Sequence, residues 1–222
     1  MAYFTPESFE FLRELSENNN RDWFAANKKR YESEVRDPAL RFISDFGPRL
    51  HRIAPRLVAD PRPVGGSMFR IYRDTRFSRD KSPYKTHLGI HFFHEKAKAA
   101  ASVPGFYLHI APEGCFAAGG IWHPDPQSLG KIRAAIANGS PEWKSIKRSR
   151  IPIEGGSLKR PPRGFAADHP MLEDLKRTDF ITSVPLTEKE ISSKNFMADF
   201  AASCRKMTPL VRFVARSLKL PW

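Results

Sequence analysis

"HLGIHF", residues 87–92, decides the fold class. Leu88, Ile90 and Phe92 alternate with His87, Gly89 and His91. A period of two means a strand with one buried and one open face. Neighbouring stretches repeat it. Phe69 and Ile71 alternate with Arg70 and Tyr72, and Phe106, Leu108 and Ile110 alternate with Tyr107 and His109. "CFAAGGIW" (115–122) follows after a turn at Pro112-Glu113-Gly114. Several short runs of this kind predict half-buried antiparallel strands.

Helical patterns lie on both sides of the strand block. Thr5 suits an N-cap, Pro6 the first helical position, and Phe4 with Phe9 a hydrophobic staple. That helix stops in Asn18-Asn19-Asn20. A second starts near Asn20, and a third at Asp37-Pro38, with Pro48 expected to kink or split it. Beyond the strands, Asp125-Pro126 opens a helix through Ile136, Ser140-Pro141 opens a short one, and Asp168–Lys176 reads as another. Phe180–Val184 suits one more strand. Thr187 and Glu190 form a capping-box pattern for a helix to about Met207, and Thr208-Pro209 restarts a last one. The expectation is an α+β fold, 1–222 as one domain: a central antiparallel sheet of about four to six strands with N-terminal and C-terminal helices packed on it.

The length, 222 residues, is ample for one core, and a formal charge of +13 favours anionic partners. The N-terminus carries acids and no basic segment before an apolar core, which argues against a signal peptide. No apolar run approaches membrane-spanning length. A soluble cytoplasmic protein without membrane contact is expected. Cys115 and Cys204 form neither a disulfide framework nor a CxxC pair.

The open side of the strands is unusual. It offers Arg70, Tyr72 and Asp74, then His87 and His91, then Tyr107 and His109. Such groups bind phosphates, stack on rings and titrate near neutral pH. The alternative is a solvated or helix-covered face whose polar groups are satisfied locally. The intervening loop, "RDTRFSRDKSPYKT" (73–86), sets Arg73, Arg76, Arg79, Lys81 and Lys85 against only Asp74 and Asp80. Mutually repelling cations invite an anion; Arg offers a planar fork and Lys a mobile charge. Tyr84 is available to pack or stack. The competing reading is an Arg–Asp network whose spare cations are solvated.

A second basic run comprises Lys144, Lys147, Arg148, Arg150, Lys159, Arg160 and Arg163. Beside the first loop it would extend a groove for nucleic acid; by itself it reads as a solvated face. His87 and His91 on one strand lie roughly 13 Å apart, too far to share a zinc ion. No metal site and no cofactor are expected, and no Walker loop, GxGxxG, GxSxG or HExxH occurs. In "GGIWHP" (119–124), paired glycines permit close approach by a ligand or by Trp122.

"FRIYRDTRFSRDKSPYKTH" (69–87), "GFYLHIAPEG" (105–114), "GGIWHPDP" (119–126), "LKRPPRGF" (158–165) and "DHP" (168–170) together resemble a mostly bacterial family of conserved hypothetical proteins, domain of unknown function 2461. The family signature is matched at Tyr72 to Ser78, Asp80, Lys81 and Pro83 to His87. The resemblance implies a single cytoplasmic domain and supplies no reaction or catalytic residue.

The functional expectation is a site for an anionic, phosphorylated ligand. Arg70, Tyr72, Arg73, Arg76, Arg79, Lys81, Tyr84, Lys85 and Tyr107 would bind it. His87, His91 and His109 would be the acid–base groups if metal-independent transfer or hydrolysis occurs. Two other readings stay open: a non-catalytic nucleic-acid binder using both basic segments, and a module for an unspecified protein partner.

Overall fold

The computed structural model describes residues 2–96 and 103–222. Five antiparallel strands form a meander in which each pairs with its neighbours in sequence. They are β1 (Leu57–Val58), β2 (Leu88–His94), β3 (Gly105–Ile110), β4 (Cys115–Ile121) and β5 (Phe180–Leu186). With helices before and after it, this is the expected α+β arrangement.

α1 (Pro6–Glu17) begins after Thr5, whose backbone N–H donates to Ser8 Oγ at 3.3 Å. α2 (Arg21–Arg30) is capped by Asn20, whose side chain accepts from Trp23 N at 2.9 Å. Asp37-Pro38 does not open a separate helix, as its cap-then-proline pattern suggests. A π-helical turn, Tyr31–Arg36, joins α2 directly to α3 (Asp37–Ile53). Pro38 has no N–H for the carbonyl of Glu34, four residues earlier. Ser8 supplies the missing donor, its hydroxyl reaching Glu34 O at 2.5 Å. The backbone N–H of Asp37 bonds Glu32 O instead, the wider spacing of a π-turn. Pro48 also lies inside α3 without ending it.

The C-terminal region carries the same correction. The Thr187–Glu190 capping box forms, with Glu190 N donating to Thr187 Oγ1 at 3.2 Å, but it caps only the short α7 (Glu188–Ile191). α8 (Phe196–Ser217) then runs unbroken through Pro209. An interior proline costs about 3 kcal/mol of helix propensity. Burial of Phe196, Phe200, Met207, Leu210, Val211 and Phe213 on one helix outweighs it. Between β4 and β5 lie α4 (Pro126–Ala137), α5 (Pro141–Arg148) and α6 (Leu172–Leu175), the last shorter than the predicted 168–176.

α3 and α8 cover one face of the sheet. Leu88, Ile90, Phe92, Phe106, Leu108 and Ile110 are buried there. Phe92 packs between Phe46 and Phe200, with ring centroids 5.0 and 5.8 Å away. A second cluster joins Ile121, Ile132, Trp143, Phe180 and Phe213. No helix among the described residues is long and apolar enough to cross a membrane.

Gly119 sets how closely α8 approaches. A Cβ built there would lie 2.9 Å from Met207 Cβ and 3.1 Å from Val211 Cγ2. Gly119→Val should therefore destabilise the protein by about 1–3 kcal/mol through overpacking. At Gly114 a Cβ meets open space, and Gly114→Ala should change stability by no more than about 0.5 kcal/mol. Urea denaturation of the two variants measures both; equal midpoints would refute the close contact.

Candidate functional site

The basic loop is an irregular hairpin hung on the sheet edge. Met68 bridges Ile90, and Phe69 N donates to Gly89 O at 2.9 Å. β1 already occupies the same edge of β2, at His94 and Phe93. Residues 67–69 therefore make only a short edge contact before the chain bends at Ile71. The strand predicted at 69–72 is absent as a ladder, and the facing changes with it. Met68 and Ile71 are buried, while Phe69 turns to the open side and is 44% exposed. A stem follows: Tyr72 bridges Tyr84, Arg73 N donates to Pro83 O at 2.9 Å, and Lys85 N to Ile71 O at 2.8 Å.

The Asn19 amide ties this stem to the helices. Its Nδ2 donates to Tyr84 O at 3.0 Å, and Tyr84 N donates to its Oδ1 at 3.0 Å. The Tyr84 ring is buried and stacked on Phe24 with centroids 4.1 Å apart. Tyr72 lies 5.4 Å from the Tyr84 ring, away from the sheet face where the pattern put it. Tyr84 and Tyr72 thus belong to a packing cluster on α2. The sequence reading took Asn18-Asn19-Asn20 only as a helix stop. Asn18 ends α1 and Asn20 caps α2, so the surplus middle Asn was the available signal.

Both loop acids are engaged within the loop. Asp74 accepts from Arg76 N at 3.2 Å, Nε at 3.0 Å and Nη2 at 2.7 Å, and these bonds hold its carboxyl down at about 2. Asp80 accepts from Ser82 Oγ at 2.6 Å and Ser82 N at 2.9 Å and pairs with Arg73. Its carboxyl lies well below the usual range, through Ser82 first and Arg73 second. Lys81 Nζ reaches Thr75 O at 2.9 Å, and Lys85 Nζ reaches Arg70 O at 2.8 Å. These carbonyls orient the ammonium groups without neutralising them. Residues 69–87 hold six basic and two acidic side chains, so four positive charges remain in excess. Burial, and then Arg70, lower the Lys85 ammonium.

Two open clefts flank the loop and share Asn19 and Ser82. One, of about 530 Å³, lies against the first turn of α2 at Asn20 and Arg21, with Thr75, Lys81 and Pro83 opposite. The other, of about 410 Å³, is lined by Ser16, Arg73, Asp80, Tyr84, Lys85, Thr86 and His87. Arg70, Arg76 and Arg79 line neither.

The open sheet face begins where the second cleft ends. His91, Tyr107, Ala118 and Ser183 stand in one cross-strand row, and Gly89, His109, Phe116 and Pro185 in the next. The His87 and His109 rings are 4.5 Å apart, and His109 stacks on Phe116 at 4.8 Å. Tyr107 Oη and His109 Nδ1 share a hydrogen bond at 3.1 Å. Phe69 completes the surface, 6.0 Å from Tyr107 and 6.2 Å from His91. Two glycines make room. A Cβ at Gly89 would lie 2.6 Å from Tyr107 Oη, and one at Gly105 2.7 Å from His91 Nε2. The rings therefore press onto bare backbone and lose hydration. Burial lowers His91 to about 4; burial, then His109 and Lys85, lower His87 to about 4. Burial also lowers His109 and raises Tyr107 to about 12.

A second constellation lies at the other end of β4. His123 takes a left-handed backbone, φ 48°, and stacks on Trp122 at 4.0 Å. Its Nδ1 is 3.0 Å from Asp179 Oδ1. Asp179 is 2% exposed and also accepts from His123 N at 2.6 Å and Gly156 N at 2.8 Å. The sequence reading singled out the Trp122 segment but not Asp179, whose partners are remote in sequence. The second basic run leaves from the far edge of the sheet, where Glu154 bridges Ile181 of β5. The first leaves from the β2 edge. No group of three or more His, Cys, Asp or Glu suited to a metal occurs among the described residues.

The histidine face carries a pH signature. His87 and His91 should titrate with NMR midpoints near 4 in the folded protein. Unfolded histidines titrate near 6.5, so between these values the unfolded chain binds more protons. Stability contributed by these rings is present above about pH 6.5 and is lost as pH falls through about 4. Folded-state midpoints near 6.5 would contradict the desolvated face.

A family model described as "Conserved hypothetical protein (DUF2461)" matches residues 7–213. Comparisons with curated proteins and with solved structures returned no match. The family match spans the helices, the sheet, the basic hairpin and the histidine face alike, and the chain belongs to this family of conserved hypothetical proteins.

Proposed function

We propose that the protein binds a phosphorylated small molecule in the paired clefts of the basic hairpin. One observation carries this reading: both clefts are built on the same loop, and the loop retains its positive charge after its own acids are paired. Lys81 faces one cleft and Lys85 with Arg73 the other. Thr75 and Thr86 add hydroxyl donors, and the first turn of α2 adds backbone N–H groups. Arg76 is tied to Asp74 at the exposed tip, which leaves it a lesser part.

A small ligand suits this geometry better than a long nucleic acid. The two basic runs start from opposite edges of a five-stranded sheet, so they do not offer one continuous phosphate track. If the bound molecule is also transformed, His87 stands nearest the cations, as a neutral base, and Arg73 would meet developing negative charge.

Calorimetric titration with inorganic phosphate, ribose 5-phosphate and tripolyphosphate tests the reading. Lys81→Ala should cost about 1.5–3 kcal/mol of affinity where the phosphate lies in the first cleft, and Lys85→Ala the same where it lies in the second. Lys81→Ala should change the urea midpoint little because the side chain is exposed. Binding should weaken as salt rises. Absence of binding by all three compounds, or wild-type affinity in both variants, would reject it.

A further inference from the structure

We infer that the ligand carries a nucleobase: the phosphate sits among Lys85, Arg73 and Thr86, and the base stacks on the end of a ring ladder headed by His87. This rests on the phosphate-binding reading of the same clefts and specifies what else the ligand must contain.

The argument starts from His87, which belongs to two features at once. It lines the cleft that holds Arg73 and Lys85, and it is the first ring of a ladder crossing the sheet. The next ring, His109, is 4.5 Å away and tilted by 33°, and Phe116 stacks on His109 at 4.8 Å with planes 13° apart. His87 is the ring of this row that borders the cleft. Phe69 extends the same surface, with Lys85 Nζ 5.5 Å from its ring centroid, so the cation that would hold a phosphate also adjoins an aromatic face.

A sugar phosphate or inorganic phosphate would use the cations and leave the rings idle. A flat, unsaturated base joined to a phosphate by a sugar uses both. Stacking on aromatic side chains is favourable for every base. Imidazoles that stay uncharged, with one donor and one acceptor each, also suit the mixed edges of a base. Positive charge on the ladder would instead draw the phosphate onto the rings, and the lowered His87 and His109 avoid this.

A free nucleotide and the end of a single strand share this chemistry, and the test separates the two. Calorimetric affinities of the full-length protein are compared for ribose 5-phosphate, adenosine and cytidine monophosphates, and oligonucleotides of two and six residues. The inference requires that the base raise affinity about tenfold or more over ribose 5-phosphate. His87→Ser should collapse that ratio. In the wild-type chain, His87 and His109 ring protons should move upfield with the nucleotide and stay in place with ribose 5-phosphate, a readout that needs no variant. Equal affinity for mononucleotides and oligonucleotides identifies a free nucleotide; affinity that rises with length identifies a strand, and either supports the base. Ribose 5-phosphate binding as tightly as the nucleotides, with no ring-current shift, overturns this inference and leaves the phosphate reading standing. Binding by none of them overturns both.

Discussion

Two hydrogen bonds from one side chain fix everything around the basic hairpin. Asn19 meets the N–H and the carbonyl of Tyr84 as a strand would. A charged excursion between Phe69 and His87 would otherwise spread away from itself, because its cations repel. The amide clamp, with the Tyr84 ring stacked on Phe24, holds the base of that excursion against the helices. The clefts exist because the loop is pinned on one side and the α1–α2 turn stands on the other. Each of them includes Asn19 in its wall.

Pinning also concentrates charge, and the loop tempers this only in part. Asp74 folds back on the Arg76 backbone and guanidinium, and Asp80 on Ser82 and Arg73. Both are local Asx-type turns that shape the tip as well as pairing charge. Exposed ion pairs contribute little stability, about 0–1 kcal/mol. The shaping is the larger effect, since the tip it forms carries the Thr75 carbonyl that Lys81 meets. The expected Arg–Asp network and the expected anion site are therefore compatible: the acids organise two arginines, and the lysines keep their charge.

The sheet was legible in the sequence wherever a strand is paired along its whole length with a neighbour. β2, β3 and β5 follow their alternation because each side chain has only two faces to choose between. The edge segment at Phe69 failed that logic. It pairs for two or three residues and then bends, so parity at Met68 and Ile71 is set by the stem rather than by a ladder. Proline signals failed at Pro38 and Pro209 for a related reason. A missing N–H starts a helix when nothing else meets the orphaned carbonyl, but Ser8 of a different helix meets it at Glu34. Asp179 was beyond reach because it acts on backbone far away in sequence, and Asn19 left only the trace of a surplus Asn between two helix ends. Of the candidate residues, Lys81 lines one cleft, Lys85 and His87 the other, and His87 meets His109 ring to ring, while alternation did not show which tyrosines lie on that face.

Charge and rings meet at Lys85 and His87, and elsewhere the ring surface lies on bare backbone. Gly89 and Gly105 let Tyr107 and His91 lie on the sheet itself, where a Cβ would have lifted them into water. Lifted imidazoles would titrate near 6.5 and add positive charge close to neutrality. Pressed down, His91 stays neutral near neutral pH and adds no positive charge to the ring face. The surface therefore presents two media side by side. The field of the cationic rim is long-ranged and weakened by salt, while the ring face acts only at contact and is insensitive to it. Removing a glycine methyl gap would mix the two by pushing the rings outward. Strand glycines, which usually signal weak sheet propensity, here leave the room that the Tyr107 and His91 rings occupy.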